Sequence, residues 1–244
     1  MIQVERLYKS YDRPVLRGAS LRVNRAQILG LIGPPAAGKS VLLRTIAGLV
    51  VADAGSVRVA GDELVGASND TLRKVQARIG MLFQNVALFD FMSVAENVAF
   101  PLRRLSVLSE SEIKQRVENE LSAVGLSGFE ERMPSGLSGG QKRRVGLARA
   151  AVTAPSVLLY DEPAAGLDPV TTSRTFSLLR EQCRRLGSAL VVISSDIDRL
   201  LPVCHEVAMM HQGRVLFQGT VPHMRAVSHP IIEQFLEGRT DGPL

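Results

Sequence analysis

The chain has 244 residues, 45% hydrophobic and 22% charged, enough to bury a substantial core in one large domain or two unequal ones. Its net charge of +5 is scattered, with only short basic clusters such as residues 141–144, so charge selects neither nucleic acid nor an anionic membrane surface. No apolar run approaches the roughly 20 residues of a membrane span, and the charged opening MIQVERLYKSYD does not read as a signal peptide; Cys183 and Cys204 suggest neither a disulfide nor a metal set, and a cytoplasmic chain is expected.

Residues 2–23 alternate apolar and polar positions and are broken by Asp12, Pro14 and Gly18, which predicts antiparallel strands joined by turns. From Ile28 the pattern changes: ILGLIG is a buried strand, a glycine-rich turn follows, and VLLRTIAGLV has the spacing of a helix packed on a sheet. SVRVAGDEL (56–64) predicts a short strand and turn, and IGMLFQ (79–84) another buried strand. Residues 86–152 read almost wholly helical, above all SESEIKQRVENELSAVGL with its capping serines and apolar stripe. SVLLYDEP and SALVVISSD return to buried strands with a helix, TTSRTFSLLREQCRRLG, between them, and VAMMHQGRVLFQG closes as a hairpin. Strands alternating with helices predict an α/β fold with a mainly parallel sheet and one helical insertion.

GPPAAGKS, residues 33–40, fits the phosphate-loop pattern G-x-x-x-x-G-K-[ST] and lies between a predicted strand and a predicted helix, the context it requires. Backbone amides of such a loop and the helix dipole favour phosphate oxygens. Pro34 and Pro35 carry no amide hydrogen, so the donors come mainly from Ala36, Ala37, Gly38, Lys39 and Ser40. Lys39 is expected on the β- and γ-phosphates of a nucleotide, and Ser40 on Mg²⁺. VLLYDEP then delivers Asp161 and Glu162 to a strand's carboxyl edge, where Asp161 can hold Mg²⁺ through water and Glu162 can polarise an attacking water. Two acids after a strand also suit a helix cap, a reading the upstream phosphate loop weakens.

LSGGQ, residues 137–141, resembles the signature motif of ABC-type ATPases, and Tyr11, the phosphate loop, Gln84, LSGGQ, VLLYDEP and AGLDP stand in that family's order along nearly the whole chain. The resemblance implies a P-loop NTPase fold with a RecA-like, mainly parallel core, an N-terminal antiparallel β-subdomain and an inserted α-helical subdomain. It implies one ABC ATPase domain over 1–244: a nucleotide-binding core at 1–85 and 153–225, a helical subdomain at 86–152, and a C-terminal tail at 226–244. ATP would sit between the phosphate loop of one copy, Gly33 to Val41, and the signature residues Ser138, Gly139, Gly140 and Gln141 of a second, so the family implies a homodimer around two ATP. Tyr11 would stack on adenine, Gln84 would sense Mg²⁺ and the attacking water, and Asp168 would couple the two sites. A plain strand tyrosine and a plain turn acid are the simpler readings of Tyr11 and Asp168.

Finer resemblance, in MLFQNVALFDFMSVAENVAFPLR and QFLEGRTDGPL, points to the ATPase of Mla-type, MCE-associated phospholipid transporters. That implies integral-membrane permease subunits and an MCE lipid-binding protein as partners, with the chain on the cytoplasmic face of the bacterial inner membrane. Phe89, Phe91 and Met92 suit either a groove for a permease helix or the core, and the short tail suits either a reduced contact with a neighbouring ATPase or a frayed end. An ABC ATPase acting on DNA or ribosomes is disfavoured, because no long coiled-coil insertion or second ATPase unit is present. The chain departs from the family at one place: Ser195 stands where a histidine normally contacts the γ-phosphate. Serine donates one hydrogen bond and is never cationic. Slow hydrolysis, action through a water, and a subunit that binds ATP but barely hydrolyses it are the three readings. His205 and His211 lie too far along to replace that histidine.

Overall fold

In the computed structural model, residues 1–105 and 107–244 are described; Ser106, within the stretch expected to be helical, lies outside them. The chain opens with β1 (Ile2–Ser10) and β2 (Pro14–Val23), then β3 (Ile28–Ile32), α1 (Lys39–Ile46), the hairpin β4 (Ala54–Val59) and β5 (Asp62–Glu63), α2 (Asn69–Gln76) and β6 (Ile79–Leu82). It continues through α3 (Val94–Leu105), α4 (Glu110–Ala123), α5 (Gly139–Ala151), β7 (Val157–Asp161), α6 (Pro169–Leu186), β8 (Ala189–Ile193), α7 (Ile197–Leu200), β9 (Glu206–His211), β10 (Arg214–Gly219), α8 (Val221–Ala226) and α9 (Pro230–Glu237).

Two sheets result. A four-stranded antiparallel sheet has the order β2-β1-β4-β5, and a six-stranded one runs β10-β9-β3-β8-β7-β6, with every pairing parallel except β10 on β9. β3, β7 and β8 are buried at every residue, the signature of strands covered on both faces. Their side chains alternate between two cores: Leu158, Tyr160, Leu190 and Val192 join α5, α6 and the helical insertion, while Leu159, Val191, Leu29 and Leu31 join α1 and the antiparallel sheet.

The stretch 86–152 is less helical than its composition suggests. Residues 85–93 and 124–138 are loops apart from one 3₁₀ turn at Pro134–Gly136. The first loop is held by Asn97, fully buried, whose side chain accepts from Phe89 N–H (2.8 Å) and donates to the carbonyls of Phe89, Met92 and Ser93. Ser109 and Glu112 form a capping box that starts α4, and Glu120 near its end takes a bidentate bond from Arg185 of α6 (2.8 and 2.7 Å). α2, which the periodicity does not single out, is capped by Ser68 and buries Val75 alone.

β6 and α5 approach closely at two glycines. A Cβ on Gly80 would lie 1.9 Å from the Ala150 carbonyl oxygen, and one on Gly146 would lie 2.6 Å from both Leu82 and Val86. At the carboxyl end α9 places Ile232 in the main core, and buried Gln234 accepts from Leu244 N–H at 2.8 Å. From the last residue of α9 onward, residues 237–244 are exposed. Among the described residues no helix is long and apolar enough to cross a membrane.

Candidate nucleotide site

The phosphate loop bridges β3 and α1 as expected. Gly33 (φ 138°), Ala36 (φ 60°) and Gly38 (φ 100°) take left-handed backbone, and Gly33 passes so close to β9 that a Cβ would lie 2.1 Å from the Met210 carbonyl oxygen. Gly38 gives α1 no side-chain cap, so the first-turn amides of Lys39, Ser40 and Val41 stay available to an anion. A cavity of about 420 Å³ opens here, lined by Ala36 to Val41, Arg13, Val15 and Arg17 of the β1–β2 turn and β2, and Gln212 and Gly213 of the β9–β10 turn. Gly33, Pro34 and Pro35 do not line it, in keeping with donors that begin at Ala36.

Lys39 Nζ donates to the carbonyls of Gly33 (2.6 Å) and Pro34 (2.8 Å), folding back over its own loop. Burial pulls its ammonium below the usual lysine range, while Glu162 and Asp161 pull the other way. Ser40 Oγ donates to Asp161 Oδ1 at 3.3 Å, so a hydroxyl and a nearly buried carboxylate sit side by side at the helix start. That oxygen-only pair suits Mg²⁺, which takes one or two protein oxygens and completes its shell with water and phosphate.

Glu162 follows β7 with φ 51°, a left-handed conformation unusual for a side chain with a Cβ. Its N–H donates to Ile193 O (3.0 Å), and its Oε2 accepts from both the N–H (3.1 Å) and the Oγ (3.2 Å) of Ser195. Buried Ser194 instead accepts from Asp196 N–H at 3.1 Å, so the two serines at this strand end face different tasks.

The remaining expected residues surround this centre less closely. Tyr11 lies at the exposed β1–β2 turn, outside the cavity lining, with Lys9 Nζ 5.3 Å from its ring centre. Gln84 is exposed in the loop after β6, and its carbonyl accepts from Arg143 at 3.2 Å. Ser138 and Gln141 form a capping box at the start of α5, leaving Gly139 and Gly140 as the bare amides of that turn. Asp168 caps α6, accepting from Val170 N–H (2.9 Å) and Thr171 N–H (3.0 Å), and a bond from the Thr171 hydroxyl leads in holding its carboxyl below the usual range. Sequence reasoning missed Arg13, Val15, Arg17, Gln212 and Gly213. The hairpin was legible, but not its docking: Gly213 N–H donates to Ala37 O and Arg17 N–H to Gly213 O, so the turn becomes a wall of the cavity.

An uncapped helix behind a glycine loop, a buried strand-end acid beside the loop serine, and a second acid poised at the same edge define a P-loop nucleotide-binding protein. A family model described as ABC transporter matches residues 16–165. The chain is 38% identical over 269 residues to Protein TRIGALACTOSYLDIACYLGLYCEROL 3, chloroplastic, of Arabidopsis thaliana, covering 100% of this chain and 75% of that protein. It is 39% identical to Methionine import ATP-binding protein MetN 1 of Pseudomonas fluorescens, covering 97% and 72%. A solved dimeric post-hydrolysis state of the ATP-binding cassette MJ0796 bound to ADP and Pi superposes with TM-score 0.84 at 26% identity, covering 91% of this chain and 99% of that one. The chain belongs to the ABC transporter family. It is an ABC-type ATPase, and ATP is its nucleotide.

Proposed function

We propose that two copies of this chain close around two ATP molecules and use hydrolysis to drive integral-membrane permease subunits. The observation that carries the reading is the convergence of Lys39, Ser40, Asp161, Glu162 and Ser195 on one edge of the parallel sheet. Loop amides from Ala36 onward would hold the phosphates, with Lys39 leaving its two carbonyls for the β- and γ-phosphates. Glu162 would take a proton from water as the water oxygen bonds to the γ-phosphorus, and the bond from that phosphorus to the bridging oxygen breaks, releasing ADP and phosphate. Ser40 and Asp161, with Gln84 nearby, would hold Mg²⁺, which neutralises charge on the phosphate oxygens when bound. Tyr11, on the exposed β1–β2 turn, would stack on adenine. Ser138, Gly139, Gly140 and Gln141 would meet the partner copy's nucleotide, and Asp168 would lie between the two sites.

The cargo we infer is phospholipid moved between bacterial membranes, with an MCE lipid-binding protein and a permease dimer as partners, the ATPase lying on the cytoplasmic face of the inner membrane. Support comes from the Mla-type resemblance of residues 81–103 and of the QFLEGRTDGPL tail, a segment that begins within α9. Likeness to the Pseudomonas methionine import protein favours a second reading, an importer ATPase for another substrate. Phosphate release by the purified chain with Mg²⁺ and ATP, set against Glu162→Gln, tests the ATPase mechanism: equal rates sink it. Affinity purification of the chain from its own cells, with mass spectrometry of the proteins that co-purify, tests the cargo. A permease with an MCE protein supports phospholipid transport, whereas a permease with a periplasmic solute-binding protein replaces it with import.

A further inference from the structure

We infer that Arg143 is a positioning residue that fastens the signature helix to both loops of the hydrolytic edge at once, an inference that rests on Glu162 being the base. Arg143 lies on α5, half-buried beneath the site. Its Nη1 donates to the carbonyls of Gln84 (3.2 Å) and Glu162 (3.1 Å), and its Nη2 donates to the carbonyl of Ala165. Those three carbonyls belong to two separate segments: the loop after β6, which holds Gln84, and the turn after β7, which holds Glu162 and Ala165. One planar guanidinium can satisfy all three because its donors are fixed in a fork; an ammonium on a flexible stem cannot hold the same set in one geometry.

The contact has consequences for Glu162 in particular. Its peptide is gripped on both sides, N–H by Ile193 O and C=O by Arg143, while its backbone sits at φ 51°. The direction of its carboxylate depends on that backbone. A second arginine on the same helix supplies a natural contrast: Arg149 donates to the carbonyls of Val86 (2.5 Å) and Ala87 (2.7 Å) and has no bond to the Glu162 segment. Arg149 therefore fixes the Gln84 loop alone, whereas Arg143 joins that loop to the acid pair.

The test uses the full chain and two readouts. Amide hydrogen exchange needs no turnover: Arg143→Met should speed exchange in both 84–87 and 162–168, and Arg149→Met in the first segment only. Unchanged exchange at 162–168 in Arg143→Met overturns the inference. In steady-state hydrolysis, Arg143→Met should lower kcat about tenfold with KM for ATP within about threefold, and Arg143→Lys should recover less than half of the loss. Full rescue by Arg143→Lys overturns the fork, since charge alone would then suffice, and a kcat loss matched by an equal rise in KM reduces Arg143 to a structural residue. If Glu162→Gln turns over as fast as the unaltered chain, the assignment of Glu162 as base fails by itself, and the exchange measurement still decides the role of Arg143.

Discussion

Ser195 donates twice to a single oxygen of Glu162, through its amide at 3.1 Å and its hydroxyl at 3.2 Å. The serine is therefore bound to the acid beside it, at the position where the family resemblance expects a histidine on the γ-phosphate. Removing the hydroxyl leaves the amide bond in place. A hydrogen bond to a charged group contributes about 1.5–3 kcal/mol, less at an exposed position, so Ser195→Ala should lower turnover about threefold to tenfold, and Ser195→His should raise it above the unaltered chain. Phosphate release measured for the three proteins side by side decides the point; equal rates in all three would detach Ser195 from catalysis.

The β9–β10 turn has Gln212 at φ 46° and Gly213 at φ 78°, both positive as a two-residue type I′ hairpin requires. A Cβ on Gly213 would lie 2.3 Å from the Val15 carbonyl oxygen. Gly213→Ala should cost about 2 kcal/mol or more from backbone strain and the forced shift of β2. Because the turn walls the cavity, KM for ATP should rise with the fall in Tm. A thermal melt and a hydrolysis titration on one preparation show whether the two move together.

Asn97 holds the 89–93 loop with four side-chain hydrogen bonds from a fully buried position. Asn97→Ala strips the partner from one amide and several carbonyls, and should destabilise by about 2–4 kcal/mol in urea unfolding. Phe89 packs on Phe91 and Phe100 (5.8 and 4.9 Å between ring centres), and Phe91 is 76% exposed. Basal hydrolysis of the isolated chain should survive below the unfolding midpoint. A variant as stable as the parent would show that the loop needs no such anchor.

Burial pushes the Cys183 thiol up to about 11 and the Cys204 thiol up to about 12. At pH 8 roughly one thiolate in a thousand is then present at Cys183, and about a tenth of that at Cys204. Labelling by a disulfide reagent should be slow in the folded chain at pH 8, accelerate as pH climbs toward those values, and become fast at both positions in guanidinium. Rapid labelling of Cys183 in the native chain at pH 8 would contradict the burial of its sulfur.

Much of the site was legible because its chemistry needs fixed residues at fixed spacing. Strand ends and a glycine loop point to Lys39, Ser40, Asp161 and Glu162, and the structure gathers them at one sheet edge. The all-parallel centre was legible too, since ILGLI, VLLYD and ALVVI are apolar at or near every position. What escaped is what depends on tertiary approach. Arg143 reads as one more surface base in a basic cluster, and only the fold aims it at three carbonyls. Gln212 and Gly213 spell a hairpin turn, yet nothing local says that the turn lands on the phosphate loop. The loops at 85–93 and 124–138 mimic helix in sequence because their apolar residues feed the same core as the helices around them. Asn97, which shapes the first of them, carries no pattern of its own.

The close seam between β6 and α5 ties the segment leading to Gln84 to the signature helix. Gly80 lies against the Ala150 carbonyl and Gly146 against the Leu82 and Val86 side chains, so a side chain added at either glycine would force strand and helix apart. The loop that bears Gln84 and the helix that opens with Gly139 and Gly140 are thus joined through two positions that leave no room for a wedge.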